Sequence, residues 1–117
     1  MFVVSIIKNN LSNRSVWSIY IIRCGDRSLY TGVTNNVAKR FAVHQAGGSQ
    51  AAKYTRTRHP LKLVFTAEIG TKSAAYSAEY HVKKLTKSKK EGLVAGSISL
   101  ADLSFMQLEQ SEQSGQC

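Results

Sequence analysis

Residues 17–23 read WSIYIIR and residues 28–33 read SLYTGV, with Cys24-Gly25-Asp26 between them. Both runs are aromatic and β-branched, the composition of strands, and Gly25-Asp26 supplies turn chemistry. Residues 17–33 therefore predict a β-hairpin. Its loop length carries a functional consequence, because side chains alternate between the two faces of a strand. A two-residue turn at Gly25-Asp26 pairs Tyr20 with Thr31 and sends Tyr20 and Tyr30 to opposite faces. A three- or five-residue loop sets Tyr20 directly against Tyr30, on one face.

Working outward, Asn35 or Asn36 caps a predicted helix over about residues 36–46, which Gly47-Gly48 ends. Residues 49–60 are polar and basic and predict a loop with a short helical turn. Residues 61–68 alternate Leu61, Leu63 and Phe65 with Lys62, Thr66 and Glu68, a half-exposed third strand. Residues 71–86 are Ala-rich and helical, and Lys87 to Gly92 forms a basic turn or short helix. Beyond Val94 the sequence turns to Ser, Gln and Gly, with Leu100 and Leu103 spaced for one short helix. The expected organisation is an extension over 1–16, a folded domain over 17–92 and an acidic, flexible tail over 93–117. The fold class is α/β (α+β), a small three-stranded antiparallel sheet flanked by helices.

The 117 residues allow one domain, and 43% hydrophobic with 20% charged residues is a globular composition. No apolar run approaches the roughly 20 residues of a membrane span. The opening MFVVSII lacks a basic flank and a cleavage site, so a cytoplasmic protein is expected. Cys24 and Cys117 read as free thiols. The charge is uneven. Residues 1–92 carry all sixteen Lys and Arg against Asp26, Glu68, Glu79 and Glu91, a net +12, whereas residues 93–117 carry −3. A compact unit so basic calls for a polyanion, and nucleic acid is the expected partner.

Polar side chains stand where apolar ones are expected. At about 100° per residue, His44 falls within the stripe of Val37 and Phe41 on the face turned to the sheet, with Arg40 at its flank. In the later helix Ala74, Ala78, Val82 and Leu85 form the packing face, and Glu79 lies at its border, able to pair with Lys83 four residues on.

Taken together these residues resemble the GIY-YIG endonuclease superfamily, in its small single-domain bacterial branch. Ser18-Ile19-Tyr20 and Tyr30-Thr31-Gly32 stand where its two motifs sit, ten residues apart from tyrosine to tyrosine. Thr31 to Thr34, then Lys39-Arg40-Phe41 and His44, are similar to its helix motif. Ala52-Lys53-Tyr54-Thr55-Arg56 and Pro60-Leu61-Lys62-Leu63-Val64 match the small branch, and Glu79 with Lys83 resembles the acidic helix motif. Ser18 and Thr31 depart from the motif glycine and isoleucine, and Val33 stands where some relatives carry lysine. The resemblance implies metal-dependent hydrolysis of nucleic-acid phosphodiesters, with Tyr20, Tyr30, Arg40, His44 and Glu79 converging on one cleft. Its substrate is expected to be DNA, in repair or recombination.

The chemistry fits those residue types. Arg40 offers a permanently charged fork to a phosphate. Glu79 offers a hard oxygen ligand to one Mg²⁺ or Mn²⁺, and one carboxylate suffices when the remaining ligands are water and substrate. A phenol ionises near pH 10, so a tyrosine base needs a field that lowers it, and Arg40, a cation and lysines are expected to do so. Tyr20 is read as the acceptor of water's proton, with His44 taking or orienting the Tyr20 proton and Tyr30 orienting water or phosphate; the reverse assignment of the tyrosines stays open. Lys39, Lys53, Arg56, Lys83, Lys84, Lys87, Lys89 and Lys90 are expected along the nucleic-acid backbone, with Tyr54 available to stack on a base. A monomer without a small-molecule cofactor and without a membrane partner is expected. A non-catalytic nucleic-acid-binding module of the same fold is the alternative.

Overall fold

The computed structural model describes residues 16–103. Strand β1 (Trp17–Arg23) lies between β2 (Leu29–Thr34) and β3 (Lys62–Gly70) in one antiparallel sheet of order β2-β1-β3. Helices α1 (Val37–Ala46) and α2 (Lys53–Arg56) follow β2. Helices α3 (Lys72–Lys83) and α4 (Lys87–Ala95) and a 3₁₀ turn (Leu100–Asp102) follow β3.

Central β1 explains the unbroken run Ile19 to Ile22: all four residues are buried because both faces of the strand are covered. On one face Ile19 and Ile21 pack with Ala78 and Val82 of α3 and with Leu93, Leu100 and Leu103. On the other, Tyr20, Ile22, Cys24 and Leu61 are joined by Tyr30, Val37, Phe41 and Leu63. Each fully buried aliphatic side chain contributes roughly 1.5–3 kcal/mol. Two register shifts between β1 and β3 take up an extra residue each on β3. The shift beside Ile22 returns Leu63 to the Tyr20 face while Val64 and Phe65 both serve the opposite core.

The local signals act as expected. The Asn36 side chain accepts from the Lys39 amide at 3.1 Å, and Gly47 closes α1 at φ 72°. The hairpin loop is odd. Cys24 and Ser28 are bonded across it, and Arg27 takes the left-handed conformation at φ 71°. Asp26 accepts from the Ser28 amide and hydroxyl. One expectation is corrected. Residues 93–103 belong to the packed unit, because Leu93, Leu100 and Leu103 are core residues. The change in composition near Gly92 marks the loss of positive charge, not the end of packing; the rest of the expected tail, and the extension over 1–15, lie outside the described residues.

Candidate active site

The odd loop puts Tyr20 and Tyr30 on one face, as a shared site requires. Their pairing differs from the direct one expected: Tyr20 faces Gly32, and Tyr30 faces Ile22. The offset of two residues gives Tyr20 room to lie across β2. A Cβ on Gly32 would collide with the Tyr20 hydroxyl and stand 2.6 Å from its Cζ. Glycine is therefore required here by close approach, and the phenol reaches from the central strand over the edge strand. The two tyrosine rings sit 6.5 Å apart, centre to centre.

Helix α1 supplies two partners. Val37 and Phe41 dock it on the Tyr20 face, and this brings His44, on the same stripe, fully into the interior. The Tyr20 oxygen and His44 Nε2 are hydrogen-bonded at 2.9 Å. His44 Nδ1 lies 3.2 Å from the Thr55 hydroxyl of α2 and 3.4 Å from the Ala52 amide. Tyr30 meets the His44 ring edge-on at 5.5 Å. Arg40, one turn before His44, donates to the Gln50 carbonyl at 2.8 Å and also reaches the Tyr20 oxygen.

The electrostatics correct one expectation. Burial, reinforced by Tyr30, pushes the Tyr20 phenol up to about 12, and the bond and charge of Arg40 offset only part of this. The chain's own field thus keeps Tyr20 protonated, because removing an ion from water costs more than one nearby guanidinium returns. Burial and the Arg40 charge push His44 down to about 4, so the pair is neutral at pH 7.

Helix α3 brings the carboxylate. Ala75, Ala78 and Val82 turn into the core, and Glu79, beside Ala78, is carried to the border of that face. Its side chain is 17% exposed and lies 3.4 Å from Lys83 Nζ, so the expected i,i+4 pair forms with the carboxylate mostly enclosed. Glu79 is near enough to Tyr20 for its charge to oppose ionisation of the phenol, and Lys83 Nζ stands 5.9 Å from the Tyr30 ring. Among the described residues no three His, Cys, Asp or Glu side chains gather into a metal cage. One sheltered carboxylate fits a hard, water-rich ion such as Mg²⁺ and does not fit a zinc site.

A family model described as the GIY-YIG catalytic domain matches residues 16–92. The chain belongs to the GIY-YIG family. It is similar to a UPF0213 protein of Cronobacter sakazakii, with 52% identity over 83 residues, 71% of this chain and 85% of the relative. It is also similar to the UPF0213 protein YhbQ of Escherichia coli K12, 47% identical over 87 residues, 74% of this chain and 85% of that one. A solution NMR structure of a UPF0213 protein from Bacillus halodurans is 44% identical, covering 68% of this chain and 83% of that chain at a TM-score of 0.44.

The side chains expected along nucleic acid take different places around these residues. Tyr54 stacks on Tyr30 at 6.0 Å, and the Arg58 guanidinium stands 3.8 Å from the centre of its ring. Tyr54 remains exposed, and Arg58 also binds Asp26 and the Tyr54 carbonyl. Arg56 is turned to the Ala51 and Ser49 carbonyls, where with Arg40 it holds the loop before α2. Lys39 and Arg40 line a hollow of about 260 Å³ at the start of α1. Lys53 is exposed on α2. Lys83 lies beside Glu79 and Tyr30, whereas Lys84 donates to the Tyr80 hydroxyl and Lys87 to the Arg27 carbonyl in the hairpin loop. Lys89 and Lys90 follow on α4. Sequence reasoning gave no role to Arg58 or Thr55. Both sit in the polar stretch 49–60, where no periodicity marks which side chain turns inward.

Proposed function

We propose that this protein is a metal-dependent endonuclease that hydrolyses phosphodiester bonds of nucleic acid, DNA in the first place, in repair or recombination within the cytoplasm. The observation that carries the reading is the buried Tyr20–His44 bond, with Tyr30, Arg40 and Glu79 gathered about it. A binding module gains nothing from burying a neutral imidazole against a phenol, since such groups are costly unless paired.

Glu79 would hold one Mg²⁺ or Mn²⁺, and the ion when bound supplies Lewis-acid stabilisation of phosphate charge. The chain's own groups do the rest. Arg40 faces a phosphate oxygen with a fixed charge and orients it for in-line attack. Tyr20, once ionised, accepts a proton from the attacking water and returns to its neutral form. Tyr30, in contact with Tyr20, His44 and Lys83, positions water or phosphate. Lys39, Lys53, Lys83 and the α4 lysines meet backbone phosphates, which position a polymer without reading its sequence. One site per chain corresponds to nicking by a monomer.

The test is Glu79→Gln, which removes the charge and keeps the shape. Nicking of a labelled DNA panel in Mg²⁺ should fall by about a thousandfold while affinity for the same DNA stays within a few-fold. Undiminished cleavage by this variant removes Glu79 from the chemistry. Salt-sensitive binding with no product from the unaltered protein in any divalent ion establishes the binding module instead.

A further inference from the structure

Thr55 has no part in the chemistry above, yet it is fully buried against His44. Three neighbours define the imidazole: the Tyr20 oxygen at 2.9 Å from Nε2, and the Thr55 hydroxyl at 3.2 Å and the Ala52 amide at 3.4 Å from Nδ1. A neutral imidazole has one donor and one acceptor nitrogen, so these contacts must agree on one tautomer. The hydroxyl hydrogens rotate to suit either. The amide hydrogen does not, because the peptide plane fixes its direction. It points at Nδ1, and Ala52, as the residue capping α2, has no acceptor within the helix for that hydrogen. A hydrogen on Nδ1 would meet it head-on.

The Thr55 hydroxyl is free to follow. Its present acceptor, the Ala52 carbonyl at 2.9 Å, already receives the Thr55 and Arg56 amides. Turning the hydroxyl to Nδ1 therefore leaves no carbonyl without a donor.

We propose that Thr55, together with the Ala52 amide, is a positioning residue that holds His44 in the Nε2–H tautomer, so that His44 donates to the Tyr20 oxygen. The consequence for catalysis rests on the nuclease reading; the tautomer itself does not. Tyr20 then receives a hydrogen bond from His44 beside the Arg40 charge, and its own hydrogen is turned away from the imidazole. When that hydrogen leaves to solvent or substrate, the phenolate faces the His44 donor and the Arg40 charge. It takes one proton from water to regenerate the phenol, while His44 neither gains nor loses one. The opposite tautomer would leave the phenolate facing a lone pair.

The experiment is a long-range ¹H–¹⁵N correlation spectrum of the metal-free protein at neutral pH, where His44 is uncharged. The expected pattern shows Nδ1 of His44 as a bare ring nitrogen and Nε2 as the protonated one. Thr55→Val should raise the Nδ1–H population and lower turnover about tenfold at unchanged KM; Thr55→Ser should restore both. A wild-type spectrum with Nδ1 protonated overturns the proposal, whatever the variants do. So does a folded Thr55→Val protein with unaltered ring signals and turnover. The expected spectrum in a protein that cleaves nothing upholds the tautomer and refutes only the nuclease reading.

Discussion

The two faces of the sheet are built from the same three strands and serve opposite ends. Beneath α3 and α4, Ile19 and Ile21 meet apolar partners, Phe65 among them, with Leu93, Leu100 and Leu103 drawn in from the C-terminal side. Toward α1 and α2 the alternate residues of the strands present a phenol beside Ile22 and Leu61, and α1 adds an imidazole and a guanidinium. The first face gains its free energy from apolar area. The second surrenders part of that gain to hold neutral polar groups that must find partners. Stability and chemistry are thus separated by one step along a strand, the distance over which side chains change face.

The largest effect is expected on the apolar face. Ile21→Ala should cost about 2–5 kcal/mol in chemical unfolding, with activity per folded molecule unchanged; a loss of activity at full stability would break the division between faces. The site face should announce itself through pH. His44 is held neutral, so its burial favours the folded state above its ordinary pKa near 6.5, and that contribution is lost as pH falls through about 4. Its size is up to about 3 kcal/mol, read from unfolding midpoints between pH 7 and pH 4, and His44→Gln should flatten the dependence. Tyr20 acts in the other sense: its contribution is present below pH 10 and fades as pH rises through about 12.

Gly32→Ala probes the close approach of β1 and β2 on the site face. The new methyl must displace the Tyr20 ring, at a cost of about 1–3 kcal/mol, and the break in the Tyr20–His44 bond should abolish cleavage before it abolishes folding. Ring signals of Tyr20 unchanged in that variant would remove close approach as the reason for the glycine. The smallest effect concerns the bidentate pair of Arg23 with Glu91, which ties β1 to α4 at 2.6 and 2.7 Å. It is partly exposed, and a double-mutant cycle should return about 0.2–1 kcal/mol. A value well above this would mean that α4 is held by charge and not by Leu93.

Strand composition, the Asn36 cap, the Gly47 stop and the motif spacing were legible in sequence because each is a local preference or a pattern of fixed period. Helical angles alone carried His44 to the sheet and Glu79 to the edge of its helix. Three features were not legible, and each depends on contacts between distant segments. Tyr20 and Tyr30 differ in position by a two-residue offset that the hairpin loop sets, since one residue more or less in the loop moves every partner. The state of Tyr20 depends on how completely the surrounding elements exclude water, which no residue type records. Thr55 and Arg58 meet His44 and Asp26 only when α2 folds onto α1 and the hairpin.

By itself, then, the sequence determined three strands in order, helices between and after them, a strongly basic unit and the polar residues on which the proposed chemistry rests. Composition and periodicity act over a few residues and survive in a linear reading. Tertiary structure alone decided that Tyr20 lies across Gly32, that its phenol stays protonated, that residues up to Leu103 join the core, and that Thr55 and Ala52 meet one ring nitrogen. Those outcomes depend on distance and on exclusion of water, and both come into being only when segments far apart in the chain are packed together.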